Sequence, residues 1–142
     1  MGVLRVFRRK EQAVRGVRLV GGRMKWISFN ETLKALLAGA QTVTRRRWAD
    51  SRAAQFKRGD VVEACDRPPG FGGRRVALIR LTREPRKEST AALTEKDWFD
   101  EGMHVLEGEG VLLDGLVPSA FWLRRVSEPE DLWVIRFAVV GH

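Results

Sequence analysis

The sequence is poor in cysteine, in histidine and in long apolar runs. It holds one cysteine, Cys65, and two histidines, His104 and His142. A single cysteine excludes a disulfide within the chain, and these few residues lack the spacing of a zinc site. No apolar run approaches the roughly 18–20 residues that span a bilayer. We therefore expect a protein of a reducing, cytoplasmic compartment that uses no metal or cofactor and has no membrane partner.

The composition is that of one globular domain with a strong basic bias. Apolar residues make up 44% and charged residues 31% of the 142 residues, as in ordinary soluble domains. The formal net charge is +8, and residues 1–23 alone hold seven Arg or Lys against one Glu. Residues 44–58 and 67–87 are also basic, whereas residues 88–131 hold three basic and eleven acidic residues. Such a two-sided charge distribution favours an oriented anionic ligand.

The basic N-terminal segment predicts a domain boundary. Residues 1–23 are expected to be a flexible extension, and residues 24–142 the folded domain. Arginines interrupt the apolar run that a secretory signal would need, although the Arg-rich composition loosely fits a mitochondrial transit peptide. A further alternative is an upstream start codon, with Met24 as the true start.

The first helix is predicted between Asn30 and Gly39. Asn30 offers a side-chain oxygen to the free N–H groups of a helix, and Gly39 suits a helix C-terminus. The spacing places Leu33, Leu36 and Leu37 on one apolar face.

The remaining elements predict an α+β fold. Thr94 is expected to cap a helix that ends at Gly102, since Asp97 follows at capping-box spacing. Apolar runs on both faces of a strand suit a barrel wall, so we expect a small mixed β-barrel with peripheral helices. The other predicted elements are a short helix over 49–56 capped by Asp50 or Ser51, a loop over 67–73, a helix from Pro118 to Arg124, and strands over 61–66, 76–82 and 132–140. Residues 106–117 give no clear pattern.

The candidate binding site lies in a polar strand and the basic loop after it. Alternation along the strand places Thr42 and Thr44 on one face and Gln41 and Arg45 on the other. Arg45, Arg46 and Arg47 are expected to contact phosphate, and Trp48 is expected to stack on a base. The alternatives are a solvated loop, ion pairs with Asp50 and Asp60, and a core position for Trp48. The predicted binding residues are Gln41, Thr42, Arg45, Arg46, Arg47 and Trp48.

Four short motifs resemble the ASCH family of PUA-like domains over about residues 24–140. They are Leu37-Ala38-Gly39, Thr42-x-Thr44-Arg45, Phe56-Lys57-x-Gly59-Asp60, and Leu93-Thr94-Glu95-Lys96 followed by Glu101-Gly102. In the bacterial ASCH proteins to which this chain is similar, a Lys, a Thr and a Glu hydrolyse the acetyl amide of acetylated cytidine. This resemblance places the Thr at Thr44 and the Glu at Glu101, while the Lys position holds Gln41.

The glutamine decides between the functional hypotheses. A threonine hydroxyl needs a base or a cation beside it to act as a nucleophile, and a glutamine amide is neither at neutral pH. The same amide suits the hydrogen-bonding edge of a nucleobase. Our first hypothesis is therefore binding of RNA, a nucleotide or a modified nucleoside. The second is an amidohydrolase or a ribonuclease that uses Thr44 and Glu101, and the third is a protein-interaction module.

Overall fold

A computed structural model describes residues 16–142 of the protein. The strands are β1 (Leu19–Val20), β2 (Arg23–Met24), β3 (Trp26–Ser28), β4 (Val43–Arg46), β5 (Val61–Cys65), β6 (Arg75–Leu81), β7 (Arg86–Ser89) and β8 (Asp131–Gly141). The helices are α1 (Leu33–Leu37), α2 (Asp50–Ala53), α3 (Glu95–Asp100), α4 (Met103–Gly108) and α5 (Pro118–Ser127), with 3-10 turns at Pro69–Phe71 and Thr90–Ala92. The predicted α+β class is confirmed.

Six of the strands form one mixed sheet. Its order is β3-β5-β6-β8-β4, and β7 also pairs with β8. The β3–β5 pairing is parallel and the others are antiparallel. The strands β3 and β4 are the two ends of this order, and within residues 16–142 no ladder joins them. The sheet that the backbone forms is therefore open between β3 and β4.

The strand β8 is the centre of this sheet. It pairs with β4 and β7 along its first half and with β6 along its second half. Val134, Ile135 and Phe137 are buried although Val134 and Ile135 point to opposite faces, so both faces of β8 are covered here, which explains the nearly continuous apolar run. The predicted strands over 61–66, 76–82 and 132–140 are confirmed. The strand β7, with all four residues exposed, has no apolar pattern and was not predicted.

Two apolar clusters form the core. The larger one covers the sheet and includes Phe29, Ile79 and Phe137, while the smaller one joins the helices around Leu106. Burying each large apolar side chain of this kind contributes about 1.5–3 kcal/mol. The clusters are separate, and the polar residues between β4 and α3 fill the space between them.

The first helix differs from the prediction at its start. Thr32, not Asn30, precedes the first helical residue, and no side chain caps this end, because residues 30–32 form a turn. The predicted apolar face is also displaced, since Ala35 is buried and Leu37 is 51% exposed. The predicted stop is confirmed: Gly39 follows the helix with a φ of 73°.

The other helices follow the predicted signals more closely. Thr94 caps α3 and forms the capping box with Asp97, and α2 lies within the predicted range but is preceded by Ala49 rather than capped by Asp50 or Ser51. The helix α5 continues beyond Arg124, and α4, which enters the unassigned segment, was not predicted. No helix within residues 16–142 is long and apolar enough to cross a membrane.

Of the flexible extension predicted over residues 1–23, the structure describes residues 16–23. Residues 1–15 lie outside the described part of the chain. The strands β1 and β2 form a small hairpin beside the sheet. The Val61 N–H donates to the Gly16 carbonyl at 2.8 Å, and Arg18 donates to both oxygens of Asp60 at 2.7 Å. Lys25 lies 3.1 Å from the same carboxylate. Residues 16–23 thus contact the body of the domain.

Asp60 provides a test of this contact. Burial raises the pKa of Asp60, but hydrogen bonds from Arg18, the Lys57 N–H and Lys25 outweigh burial and leave the pKa below its usual value. Its stabilising contribution is therefore present above the unfolded pKa of about 3.9 and is lost as pH falls through the folded value. Asp60→Asn should cost about 3 kcal/mol at neutral pH, because Lys25 then stays buried without its partner.

Urea unfolding followed by tryptophan fluorescence at several pH values would measure both effects. Wild type should lose unfolding free energy on acidification with a slope that includes uptake of one proton by Asp60. In Asp60→Asn this slope should be smaller by up to one proton. The matched control is Asp131→Asn, because Asp131 is exposed. An unchanged acid slope in Asp60→Asn would contradict the assignment.

Candidate functional site

A cavity of about 240 Å³ lies between β4 and the helices. It is bounded by Phe29 of the sheet cluster and by Met103 and Leu113 of the helical cluster, so it occupies the gap between the two cores. Its polar lining includes Gln41, Thr44, Arg45, Arg46, Glu101 and Arg125. The structure thus places the three residues singled out by the resemblance, Gln41, Thr44 and Glu101, around one cavity.

A chain of alternating charges runs from the wall of this cavity, where Arg45, Glu101 and Arg125 lie, to a neighbouring groove lined by Asp97 and Arg136. The Arg45 guanidinium donates to Glu101 Oε2 at 2.7 Å and lies 3.2 Å from Asp97 Oδ1. Arg125 donates to both Glu101 oxygens at 3.2 and 3.3 Å, and Arg136 lies 3.8 Å from Asp97. Both carboxylates are therefore held between two guanidinium groups. This arrangement fixes β4 against the α3–α4 segment.

Asp97 stays ionised at neutral pH. Burial raises its pKa, but the Thr94 N–H and hydroxyl donate to the carboxylate, and the nearby Arg45 adds attraction. Together these effects lower the pKa of Asp97 below its usual value. The Asp97 carboxylate therefore belongs to the capping box of α3 and also pairs with Arg45, which lines the cavity.

Arg46 bridges the open edges of the sheet and contacts Thr44. Its guanidinium donates to the Ser28 carbonyl of β3 at 2.5 Å and to Thr44 Oγ1 at 2.9 Å. It also lies over the Phe29 ring at 5.2 Å. Burial lowers the pKa of Arg46 to about 10, helped by the charge of Arg52. The group is still a cation at neutral pH, so Thr44 has a positive charge beside its oxygen.

Gln41 has the least satisfied side chain in the cavity. It is 2% exposed, and its amide Nε2 donates to the Val43 carbonyl at 3.0 Å. That bond fixes the orientation of the amide, and Oε1 has no donor within residues 16–142. A buried acceptor without a partner costs about 1–3 kcal/mol. Gln41 lines the cavity, so a donor there could satisfy this oxygen after a small movement of the side chain.

Thr42 lies outside this cavity. The strand β4 begins at Val43, and Thr42 is exposed, whereas Thr44 is 4% exposed. Thr42 and Thr44 were expected on one face of a strand, but Thr42 precedes β4 and the two residues line different sites. Thr42 lines a separate groove with Arg83 and Arg136, and its hydroxyl donates to the Asp100 carbonyl at 3.4 Å.

The end of the predicted binding segment points away from the inner cavity. Arg47 is exposed and forms a two-bond ion pair with Glu130 at 2.5 and 2.7 Å. Trp48 stacks on Phe56 at 4.7 Å, and Arg52 lies over its other side at 4.5 Å. Trp48 therefore packs against other side chains of the domain, which agrees with the alternative of a core position. The expected ion-pair partners differ too, because neither Asp50 nor Asp60 pairs with the three arginines.

An outer cleft of about 610 Å³ continues from the cavity and shares part of its lining. Its wall from α5 includes Arg125, which lies over the Phe121 ring at 4.5 Å. The five arginines of this cleft are Arg45, Arg46, Arg47, Arg124 and Arg125. The residues on α5 were missed from the sequence, although Arg124 and Arg125 are two of the three basic residues in an otherwise acidic segment.

Comparison with known proteins supports the fold and nothing further. No family model matches the sequence, and no curated protein matches it. A crystal structure of protein EF3133 from Enterococcus faecalis V583, of the family DUF984, is similar, with a TM-score of 0.55 and 15% identity. The match covers 98% of this chain and 90% of that chain. At this identity the likeness shows a shared fold alone.

Gly102 positions Glu101 and provides a test of the site. Its φ is 73°, and an added Cβ would lie 2.5 Å from the Ala35 Cβ. Gly102→Ala should therefore lower the free energy of unfolding by about 2–4 kcal/mol, from overpacking and from backbone strain. Gly108 in the next helix has open space around it, so Gly108→Ala should be neutral or slightly stabilising. Equal stability of the two variants by thermal denaturation would contradict this packing.

Proposed function

We propose that the protein binds RNA or a nucleotide, with a nucleobase in the inner cavity and phosphate in the outer cleft. The observation that carries the proposal is the buried, unpartnered Oε1 of Gln41. A base edge presents N–H donors beside acceptors, which is what this oxygen and the neighbouring Thr44 hydroxyl can bond. The inner cavity is smaller than a typical drug-sized pocket of about 300–1,000 Å³, so it suits a base rather than a whole nucleotide.

Phosphate binding is supported by the arginines of the outer cleft. Arg47 and Arg124 are tied to Glu130 and Asp114 by ion pairs at the surface. Exposed pairs of this kind contribute at most about 1 kcal/mol, so a phosphate group can replace the carboxylate at little cost. Arg45 has a different role, because its guanidinium neutralises two buried carboxylates. We therefore assign phosphate contact to Arg47, Arg124 and Arg125 rather than to the whole Arg45–Arg47 triplet.

The resemblance to the ASCH family belongs to the same proposal. An ASCH domain would have the sheet closed as a PUA-like barrel, and here Arg46 joins β3 to β4 through the Ser28 carbonyl. We infer that this side-chain bridge stands where a backbone ladder would complete the barrel. The lysine of the family site is then replaced by Gln41, and the cation beside Thr44 is Arg46.

Binding through Gln41 can be separated from a structural role. Gln41→Met keeps the length of the side chain but removes the acceptor, so nucleotide affinity should fall about 5- to 150-fold. The free energy of unfolding should change by about 1 kcal/mol or less, because the lost bond to Val43 is offset by loss of the orphaned oxygen. Titration calorimetry with the four nucleoside monophosphates, and with short RNA at two salt concentrations, would measure the affinity.

The control for this experiment is Thr42→Val, which changes a polar residue outside the cavity and should bind as wild type does. Wild-type protein that binds neither nucleotides nor RNA would refute the proposal and favour a protein-interaction module. Wild-type affinity in Gln41→Met would refute the placement of the base.

Amide hydrolysis is the second candidate, favoured by the contact between Arg46 and Thr44. A cation 2.9 Å from the hydroxyl oxygen can stabilise an alkoxide, which is half of what a threonine nucleophile needs. The other half is a base that accepts the proton. Both oxygens of Glu101 already accept from guanidinium groups. A ribonuclease would meet the same obstacle, so the geometry favours binding over turnover.

The hydrolase hypothesis predicts the effect of restoring the family lysine. Wild type should release acetate from acetylated cytidine slowly, and Gln41→Lys should raise the rate, because a free amine can accept the Thr44 proton. Adding Thr44→Ala should abolish the gain. A wild-type rate that is high and survives both Thr44→Ala and Glu101→Gln would show that this site does not perform the reaction.

A further inference from the structure

The loop between β5 and β6 exposes an aromatic ring at its tip. Phe71 is 79% exposed, more than any other large apolar residue in the described chain. The ring lies in a tight turn, in which the Phe71 and Gly73 N–H groups donate to the Pro68 carbonyl at 2.9 and 3.1 Å. An isolated exposed phenylalanine needs no explanation, so the inference depends on how the loop is built and what surrounds it.

The loop is built to hold this conformation. Gly72 has a φ of 78°, and a Cβ on Gly73 would lie 1.8 Å from the Arg67 carbonyl oxygen. The base of the loop is closed by Asp66, whose N–H donates to the Arg74 carbonyl and whose carboxylate accepts from the Arg74 N–H. Two prolines restrict the backbone further. The Phe71 ring is therefore presented to solvent by an ordered turn and does not fold back onto the domain.

Two cationic residues of the same loop lie on either side of Phe71 in the sequence. Arg67 and Arg74 are both exposed, and within residues 16–142 no side-chain hydrogen bond or ion pair is recorded for either. Their guanidinium groups are therefore available, unlike that of Arg45, which is held by two carboxylates. Proteins that bind single strands combine exposed aromatic rings, on which bases stack, with nearby cations that neutralise the phosphates, and this loop carries both kinds of residue.

The loop begins beside the residues of β3 that line the cavity. The strands β3 and β5 are parallel, with Ser28 opposite Cys65, and the Phe29 N–H donates to the Cys65 carbonyl at 2.8 Å. One residue after Cys65 the loop begins, while Ser28 and Phe29 line the cavity. The cavity and the Phe71 loop are therefore built on the carboxyl ends of neighbouring strands.

We propose that the Phe71 loop is a second contact for single-stranded RNA, stacking an unpaired base on Phe71 and holding flanking phosphates at Arg67 and Arg74. The inference rests on the proposed function, which it extends from a mononucleotide to a strand that runs from the cavity to the loop. A lipid surface is a weaker match, because membrane binding by a folded domain needs a broad apolar face and this loop offers one ring.

Binding of a single-stranded RNA of about twelve nucleotides would be compared with binding of a mononucleotide by titration calorimetry. Phe71→Ala should lower RNA affinity about 5- to 150-fold, as loss of one stacked base does, and leave mononucleotide affinity unchanged. Phe71→Trp should retain RNA binding. Leu123→Ala is the matched control, because Leu123 is 67% exposed on α5.

The cations are tested by salt dependence. Arg67→Gln and Arg74→Gln should each reduce the salt slope of RNA binding by about 0.7, whereas Arg58→Gln, at the other end of β5, should not. RNA affinity that is equal in wild type and Phe71→Ala, with intact mononucleotide binding, would overturn the loop inference alone. If RNA binding depends on Phe71 but no mononucleotide binds, the loop inference is supported and the placement of a base in the cavity is overturned. Phe71-dependent binding to phosphatidylserine vesicles, without RNA binding, would overturn both.

Discussion

The ion pairs of Arg45 are the interaction on which the rest of the site depends. One buried guanidinium on β4 binds Glu101 and Asp97, which are more than fifty residues away along the chain. Removing one partner of such a buried pair typically costs about 3–5 kcal/mol, although the complete pair adds little net stability, because all its members lose their hydration. We infer that the pair is most important for position. It sets the distance between the sheet cluster and the helical cluster, and the cavity is the space that remains.

The same charges determine what the cavity can do. Glu101 is held by Arg45 and Arg125, so its lone pairs are used for binding within the protein and are not free for a substrate proton. The cation at Thr44 comes from Arg46, whose burial lowers its pKa yet leaves it charged at neutral pH. Recognition needs only fixed donors and acceptors, and these are present. Catalysis also needs a group that changes its protonation state, and the wall around Gln41 and Thr44 offers none without rearrangement.

Local signals predicted the parts of the fold that local physics controls. The capping box of Thr94 and Asp97, the glycine after α1 and the long apolar strand β8 were all visible in the sequence. The start of β4 was not, because it depends on pairing with β8 across some ninety residues. The prediction counted Thr42 as a strand residue and so placed it with Thr44, whereas the structure leaves Thr42 before the strand. The roles of the three arginines were missed for the same reason, as each pairs with a distant partner.

The remaining conflict in the site is the unpartnered oxygen of Gln41. Nearly every other polar group around the cavity is satisfied within the protein: Arg45 by two carboxylates, Arg46 by Ser28 and Thr44, and the Gln41 amide nitrogen by Val43. A fold that satisfies so many groups at this depth could have used an apolar residue at position 41 without loss of stability. A local rule broken inside an otherwise consistent network is more often a functional feature than an error of packing. Under the proposed function, a donor on the ligand would satisfy this acceptor.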